Sequence, residues 1–492
     1  MPVASQIMNF FNGSWSPSVG NDVLKILNPA TGAKLADNPL GDVEDVSRVV
    51  DSAARAFPDW RRTPPGERVQ YLFRFKQLLE EHFEEIACLT TQEHGKTLAE
   101  SQGELRRGIE NVEVACGIPT LMQGYNLEDV ARGIDETMIR QPLGVVAAIT
   151  PFNFPSMIPL WFLPYALACG NTFVLKPSER VPLTMKRVFE LLEQLQFPPG
   201  VVNLLNGNKK VVDALIDHPQ VRAISFVGST AVARHIYRGA AAQGKRVQCQ
   251  GGAKNHVVVL PDADMATTTQ IVGDSAFGCA GQRCLAVSTA VTVGDAREPF
   301  TRSVAEMARS IKVGYGLDEG VEMGPVVSRE SQKRIEAAID LGASEGAKVL
   351  LDGRNPSVAN YERGFFVSPT ILDGVLPGSE TSHTEIFGPV LSLIHVDSVE
   401  EAIEIVAGSP YGNAASIFTD SGAAARKFRY EVPVGNVGIN IGVAAPMAYF
   451  PFSGWKDSFL GVLHGQGRDA VEFYTDKKVV IERWPREWSR KF

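Results

Sequence analysis

Residues 144–155 read GVVAAITPFNFP, and this stretch decides the architecture. The apolar, β-prone run 145–149 passes without a spacer into Thr150-Pro-Phe-Asn153-Phe-Pro, whose prolines stop any strand. A run this short, apolar at every position and bounded by Gly144 and Pro151, reads as a strand covered on both faces. The same design recurs at 172–175, 201–205 and 223–227, with helical stretches at 183–195 and 211–216 between. Strand and helix in alternation imply right-handed crossovers and a parallel sheet with helices on both sides. Ligands of such sheets bind beyond the carboxyl ends of the strands. Residues 150–153, 176–179, 207 and 228–230 are therefore the ones to inspect.

Downstream, from about residue 256 to 445, a second α/β unit is expected, with strands at 257–260, 286–293, 390–396 and 415–418 and helices at 329–341 and 399–406. Upstream, Val43, Val46, Val50, Ala53 and Phe57 recur at helical spacing, with Asp42 as cap and Pro58 as stop. Thr63-Pro64 then opens a helix whose Leu72, Phe75, Leu79, Phe83 and Ile86 form one apolar stripe. The greasy segment 156–168 carries two prolines and is expected as a buried helix. Segments 136–141 and 471–481 fit neither unit; they read as exposed strands whose unpaired edges call for pairing with another subunit.

Bulk properties exclude several functions. A chain of 492 residues implies two or three domains. A formal net charge of −8 and the absence of a basic run argue against nucleic acid as a partner. No apolar stretch reaches the roughly 18–20 residues of a membrane span, and residues 1–16 lack the pattern of a secretory signal. The cysteines at 88, 116, 169, 249, 279 and 284 follow no disulfide framework, which favours reduced thiols and a cytoplasmic setting.

One cysteine stands in a different context. Residues 277–284 read FGCAGQRC, and two glycines flanking a thiol suggest a tight loop where backbone approaches a ligand. A thiol with its ordinary pKa near 8.5 is only a few per cent ionised at pH 7, so a nucleophile needs its pKa lowered or its proton removed on binding. Cys279 and Cys284 could instead be half of a zinc site, but there is no second close Cys/His pair and no HExxH, so no metal is expected. The strand-end loops supply complementary groups. Asn153 offers an amide donor for a developing oxyanion. Lys176 and Glu179 could hold the two hydroxyls of a ribose, the acidic group favouring NAD over NADP. Gly228-Ser229-Thr230 opens a helix suited to a pyrophosphate.

Together with Glu385-Ile-Phe387-Gly-Pro389 and Pro451-Phe-Ser-Gly-Trp-Lys456, these motifs resemble the aldehyde dehydrogenase superfamily along nearly the whole chain. The resemblance implies an α/β fold: a Rossmann-type NAD domain (1–122 and 143–253), an α/β catalytic domain (254–446), a small β oligomerisation element (123–142 and 469–492), and a segment near the active site (447–468). It implies Cys284 as nucleophile, with Asn153 and the Cys284 backbone N–H as oxyanion hole. Phe152, Lys176, Glu179, Gly228, Ser229, Glu385 and Phe387 would contact NAD.

Hydrolytic members carry a water-activating glutamate where this chain has Gln250, in QGGAKNH (250–256). An amide cannot accept a proton near neutral pH, so the thioester should wait for a stronger nucleophile such as the thiol of coenzyme A. The segments Gly-Ala-Lys-Asn-His256, Arg107-Gly-Ile-Glu-Asn-Val-Glu113 and PMAYFPFSGWK (446–456) are similar to the coenzyme A-acylating methylmalonate-semialdehyde dehydrogenases. In that subfamily the residue at position 250 is often Asn, which equally lacks a basic carboxylate. There, two arginines matching Arg107 and Arg283 are expected to hold the substrate carboxylate. The resemblance therefore implies oxidation of methylmalonate or malonate semialdehyde with decarboxylation to propionyl-CoA or acetyl-CoA, by a homotetramer. The alternatives are a hydrolytic semialdehyde dehydrogenase releasing a free acid, and a non-catalytic binding or structural protein on the same fold.

Overall fold

A computed structural model describes residues 7–483. The expectations for residues 1–6 and 484–492 lie outside the described residues.

The first sheet is built around five parallel strands in the spatial order Val202–Leu204, Thr172–Lys176, Val145–Ile149, Val221–Val227, Arg246–Gln250. Chain order reverses between Val145–Ile149 and Val221–Val227, which opens a crevice at their carboxyl ends. Alternation along Val145–Ile149 explains why every residue is apolar. Val145, Ala147 and Ile149 pack with helices Val43–Trp60, Lys209–Asp217 and Thr230–Ala242, while Val146 and Ala148 pack into the larger core on the other face. Antiparallel strands flank these five: Asn9–Phe11, itself covered by the edge strand Ser14–Ser16, on one side and Phe459–Leu460 on the other.

The second sheet runs Lys348–Leu351, Thr370–Asp373, Val390–Val396, Val287–Val293, Asn255–Val259, Ala414–Phe418, Asn436–Ile439. Its pairs are parallel except the outermost, Lys348–Leu351 with Thr370–Asp373. Only residues 251–254 separate the two sheets in the chain. Among the described residues no helix is long and apolar enough to cross a membrane.

Four expectations are corrected. Pro58 does not stop its helix, which runs Val43–Trp60, because Trp60 is buried and its indole N–H donates to the Leu167 carbonyl (3.3 Å), anchoring the last turn. The stripe from Leu72 to Ile86 spans two helices, Pro65–Glu81 and Phe83–His94, since His82 leaves helical geometry between them. The greasy segment is buried but broken into Met157–Leu160 and Leu163–Ala168, the second with Pro164 in its first turn. The second orphan segment is strand only from Thr475: Thr475–Arg483 pairs with Ile134–Pro142, and Tyr125–Ala131 flanks the other side of that strand. Val471 and Phe473 belong instead to the helix Gly467–Phe473, which buries them.

Helix Leu98–Cys116 decides where the crevice residues sit. Thr97 and Glu100 form a capping box at its start. Two side chains, Lys96 just before it and Glu104 on it, are fully buried and joined at 2.6 Å. Lys96 also donates to the Asn153 carbonyl (2.6 Å), and Glu104 accepts from the Ser156 N–H (2.7 Å), the Ser156 hydroxyl (2.8 Å) and the Met157 N–H (3.2 Å). Removing one partner of a buried ion pair strands the other, so Glu104→Ala should lower stability by ~3–5 kcal/mol, read as a fall in the chemical-denaturation midpoint. A fall of under about 1 kcal/mol would show that the pair does not anchor the loop.

Candidate active site

The face of helix Leu98–Cys116 that carries Glu100, Glu104 and Arg107 at i, i+4 and i+7 forms one wall of a cavity of about 520 Å³. Cys284, Arg283 and Cys279 line the same cavity, with Trp161 and Phe452 packed ring to ring (4.7 Å) as apolar wall. The adjacent Arg283 and Cys284 are thus brought together with Arg107 from a distant part of the chain.

Cys284 ends a loop held in an unusual conformation. Cys279, Ala280 and Gly281 are successively left-handed, with φ of 49°, 51° and 69°. Gly281 admits no side chain, since a Cβ there would lie 2.0 Å from the Gly388 carbonyl oxygen. The loop is over-determined by its partners. The Cys284 carbonyl accepts from the side-chain amides of Asn255 and Asn413, both at 2.8 Å. Asn153 donates from its amide to the Gln282 carbonyl (3.1 Å), which sets it against the loop while leaving its second N–H available.

The thiol is not preactivated. Burial, with a further contribution from the Glu385 carboxylate, pushes Cys284 up to about 12, so it is protonated near neutral pH. Glu385 itself is raised to about 7 by burial, against the Ala253 N–H it accepts from (3.0 Å) and the charges of Arg334 and Lys254. Cys279 is fully buried and accepts from the Arg283 Nε (3.2 Å).

Five expected cofactor residues, Phe152, Lys176, Glu179, Gly228 and Ser229, lie at the carboxyl ends of the first sheet's strands, while Glu385 and Phe387 precede Val390–Val396 of the second sheet. The buried Lys176 and Glu179 pair at 2.8 Å. Burial alone would raise the Glu179 carboxyl, but the charge and hydrogen bond of Lys176 outweigh it and hold it below its ordinary value. Ser229 caps the helix Thr230–Ala242 without spending its hydroxyl on the helix, which leaves hydroxyl and first-turn N–H groups for an anion. Phe152 stands edge-on to Phe387 (5.8 Å), and Phe387, left-handed at φ 55°, follows Glu385 beside a narrow cleft that also reaches Arg283. A vicinal diol, a pyrophosphate and a flat ring all find suitable partners, so the residues present fit a dinucleotide. Gln250 does not line the cavity; its amide donates to the carbonyl of Phe452, which does (3.4 Å).

Lys96, Glu100, Glu104, Asn255 and Asn413 went unnoticed in the sequence. Only Glu100 left a signal there, the Thr97-x-x-Glu100 capping pattern, and that pattern speaks of a helix start rather than of a site.

The sequence model of the aldehyde dehydrogenase family matches residues 15–480. A malonate-semialdehyde dehydrogenase of Geobacillus kaustophilus is 48% identical over 484 residues, covering 98% of this chain and 100% of that protein. A methylmalonate-semialdehyde dehydrogenase of Oceanimonas doudoroffii superimposes with a TM-score of 0.97 at 45% identity, over 99% and 100% of the two chains. A Sinorhizobium meliloti protein crystallised with NAD gives 0.97 at 40% identity, over 100% of both.

The raised thiol makes a prediction. In protein free of nucleotide, alkylation of Cys284 by iodoacetamide, followed by peptide mass spectrometry, should still be accelerating at about pH 10. Glu385→Gln removes a negative charge that opposes the thiolate, so its profile should move to lower pH. An unmoved profile would show that the Glu385 charge does not reach the thiol.

Proposed function

The chain belongs to the aldehyde dehydrogenase family, and from that premise we propose what this member oxidises and how. It is an NAD-dependent aldehyde dehydrogenase. We infer that it acts on malonate and methylmalonate semialdehydes, releases the carboxylate as carbon dioxide or bicarbonate, and passes the remaining acyl group to coenzyme A. The products are acetyl-CoA and propionyl-CoA. The observation that carries this reading is that Arg107 and Arg283 line one cavity with the Cys284 thiol, which suits an aldehyde bearing a carboxylate.

In this mechanism Arg107 and Arg283 grip the carboxylate and set the aldehyde carbon beside Cys284. The sulfur attacks the aldehyde carbon, the carbonyl π bond opens onto its oxygen, the thiol proton passes to solvent, and the resulting thiohemiacetal oxyanion is stabilised by the Asn153 amide and the Cys284 N–H. NAD, when bound, supplies the hydride acceptor that converts this adduct to a thioester. Lys176 and Glu179 hold its adenosine ribose; Gly228 and Ser229 take the pyrophosphate; Phe152, Glu385 and Phe387 position the nicotinamide end. Gln250 offers no base to water, so the thioester persists until a thiol resolves it. A single methyl group is worth about 1–3 kcal/mol in an apolar pocket, so both semialdehydes serve as substrates.

The domain roles that accompany this reading assign NAD binding to the first sheet and its helices (1–122 and 143–253) and catalysis to 254–446, with 447–468 closing the cavity. A homotetramer assembled through the oligomerisation element (123–142 and 469–492) is supported by the exposed Leu127, Val479 and Ile481 on the sheet formed by Tyr125–Ala131, Ile134–Pro142 and Thr475–Arg483. Cytoplasmic residence is supported by the cysteines, none of which is in a disulfide among the described residues.

NADH formation from malonate semialdehyde should be sustained only with coenzyme A and should stop after one turnover without it. An equal rate without coenzyme A would make water the acyl acceptor and replace this reading with the hydrolytic one. Separately, Arg283→Leu should weaken kcat/KM for malonate semialdehyde about ten- to a hundredfold, as for loss of a hydrogen bond to a charged group, and spare propanal. Equal losses would make Arg283 a support of the loop.

A further inference from the structure

Arg283 does not stand free in the cavity; it is held in place by a glutamate from a different part of the chain. Glu100 is mostly buried, at the N3 position of helix Leu98–Cys116, and one of its oxygens accepts from the Thr97 N–H (2.9 Å), closing the capping box. Its other oxygen accepts from two groups of the active loop, the Cys279 N–H (2.5 Å) and Arg283 Nη2 (3.0 Å). Arg283 Nε is occupied by the Cys279 sulfur (3.2 Å), and among the described residues no protein acceptor meets Nη1. The guanidinium lies over Gly278, where a Cβ would stand 2.5 Å from its central carbon. One edge of the fork is thus fixed, its face is seated on glycine, and the remaining nitrogen is left for a ligand.

We propose that Glu100 is a positioning residue that presents Arg283 to the substrate carboxylate and so sets the preference for carboxylate-bearing over uncharged aldehydes. This rests on the carboxylate-binding reading of Arg283 given above. A free arginine must freeze several torsions when it grips an anion; Glu100 has frozen them beforehand. It does so from the helix that also carries Arg107, so both arginines are registered to one rigid element. The negative charge of Glu100 opposes a second carboxylate at the same guanidinium, and here orientation outweighs that repulsion.

Glu100→Gln keeps the length of the side chain and removes its charge; its single amide oxygen can serve either the Thr97 N–H or the Cys279 N–H, so the chemical-denaturation midpoint is measured beside the kinetics to separate a lost cap from lost positioning. Steady-state NADH formation with coenzyme A is measured for malonate semialdehyde and propanal in the parent, Glu100→Gln, Glu100→Asp and Arg283→Leu proteins. The expected result for Glu100→Gln is a KM for malonate semialdehyde raised about tenfold, the effect of one weakened charge-assisted bond, with kcat and the propanal parameters within about threefold. Glu100→Asp should recover part of the lost affinity. Equal losses for both aldehydes in Glu100→Gln would make Glu100 a mere loop support and overturn the proposal. So would a lower KM for malonate semialdehyde, which would mark Glu100 as a competitor of the substrate. If Arg283→Leu itself fails to discriminate between the aldehydes, the carboxylate reading falls and takes this proposal with it. Discrimination by Arg283→Leu without any by Glu100→Gln defeats the positioning role alone.

Discussion

Taking a lysine and a glutamate out of water together costs several kcal/mol per ion, and only close contact plus a full set of further hydrogen bonds offsets it. Lys96 and Glu104 meet both conditions. Their 2.6 Å contact has no solvent exposure, and their remaining capacity is spent on the backbone of Asn153, Ser156 and Met157. The loop that leaves the central strand Val145–Ile149 is thereby bound to the helix Leu98–Cys116. Everything else about the cleft follows from that attachment. It places Asn153 against the Cys284 loop and turns the Glu100–Arg107 face of the helix toward the thiol.

The electrostatics of the cavity have a common pattern. Four cations near the site are matched by a carboxylate within hydrogen-bonding reach: Lys96 by Glu104, Arg107 by Glu110, Arg283 by Glu100, Lys176 by Glu179; Lys254 and Arg334 donate instead to the backbone carbonyls of Thr384 and Ile386. Pairing offsets the cost of holding these charges in a partly dry cleft. The thiol has no such partner. The charge that acts on it most, Glu385, is negative and outweighs the opposing influence of Arg283, so the resting protein keeps it as a thiol.

What could be read in the sequence depended on whether the signal was local. The strand Val145–Ile149 was legible because burial on both faces demands an unbroken apolar run, and the bounds of Val390–Val396 were found to the residue. Ser229 was visible as a helix start for the same reason. Lys96 and Glu104 were not, because a charged residue in a helical sequence looks like solvated surface, and only the fold reveals that no solvent reaches it. The prolines misled in the opposite direction. Pro58 carries the local mark of a helix end, yet the burial of Trp60 two residues later holds the final turn. The orphan segments were recognised as strands and placed in one small element, but their mutual register was not legible, since sequence alone cannot show which residues near 140 and 480 lie side by side.

That pairing has a bearing on how the chain reaches its final form. Thr475 lies opposite Pro142, and Phe459 lies opposite Gln250 at the edge of the first sheet. Contacts that close such long loops are slow to form, because chain entropy must be given up before they contribute. While the chain emerges from the ribosome, the strand Ile134–Pro142 has only Tyr125–Ala131 beside it, and its other edge stays bare until Thr475–Arg483 has been made. The nascent molecule therefore carries an open strand edge over that interval, which makes late closure of this small sheet the step most exposed to misassembly between neighbouring chains.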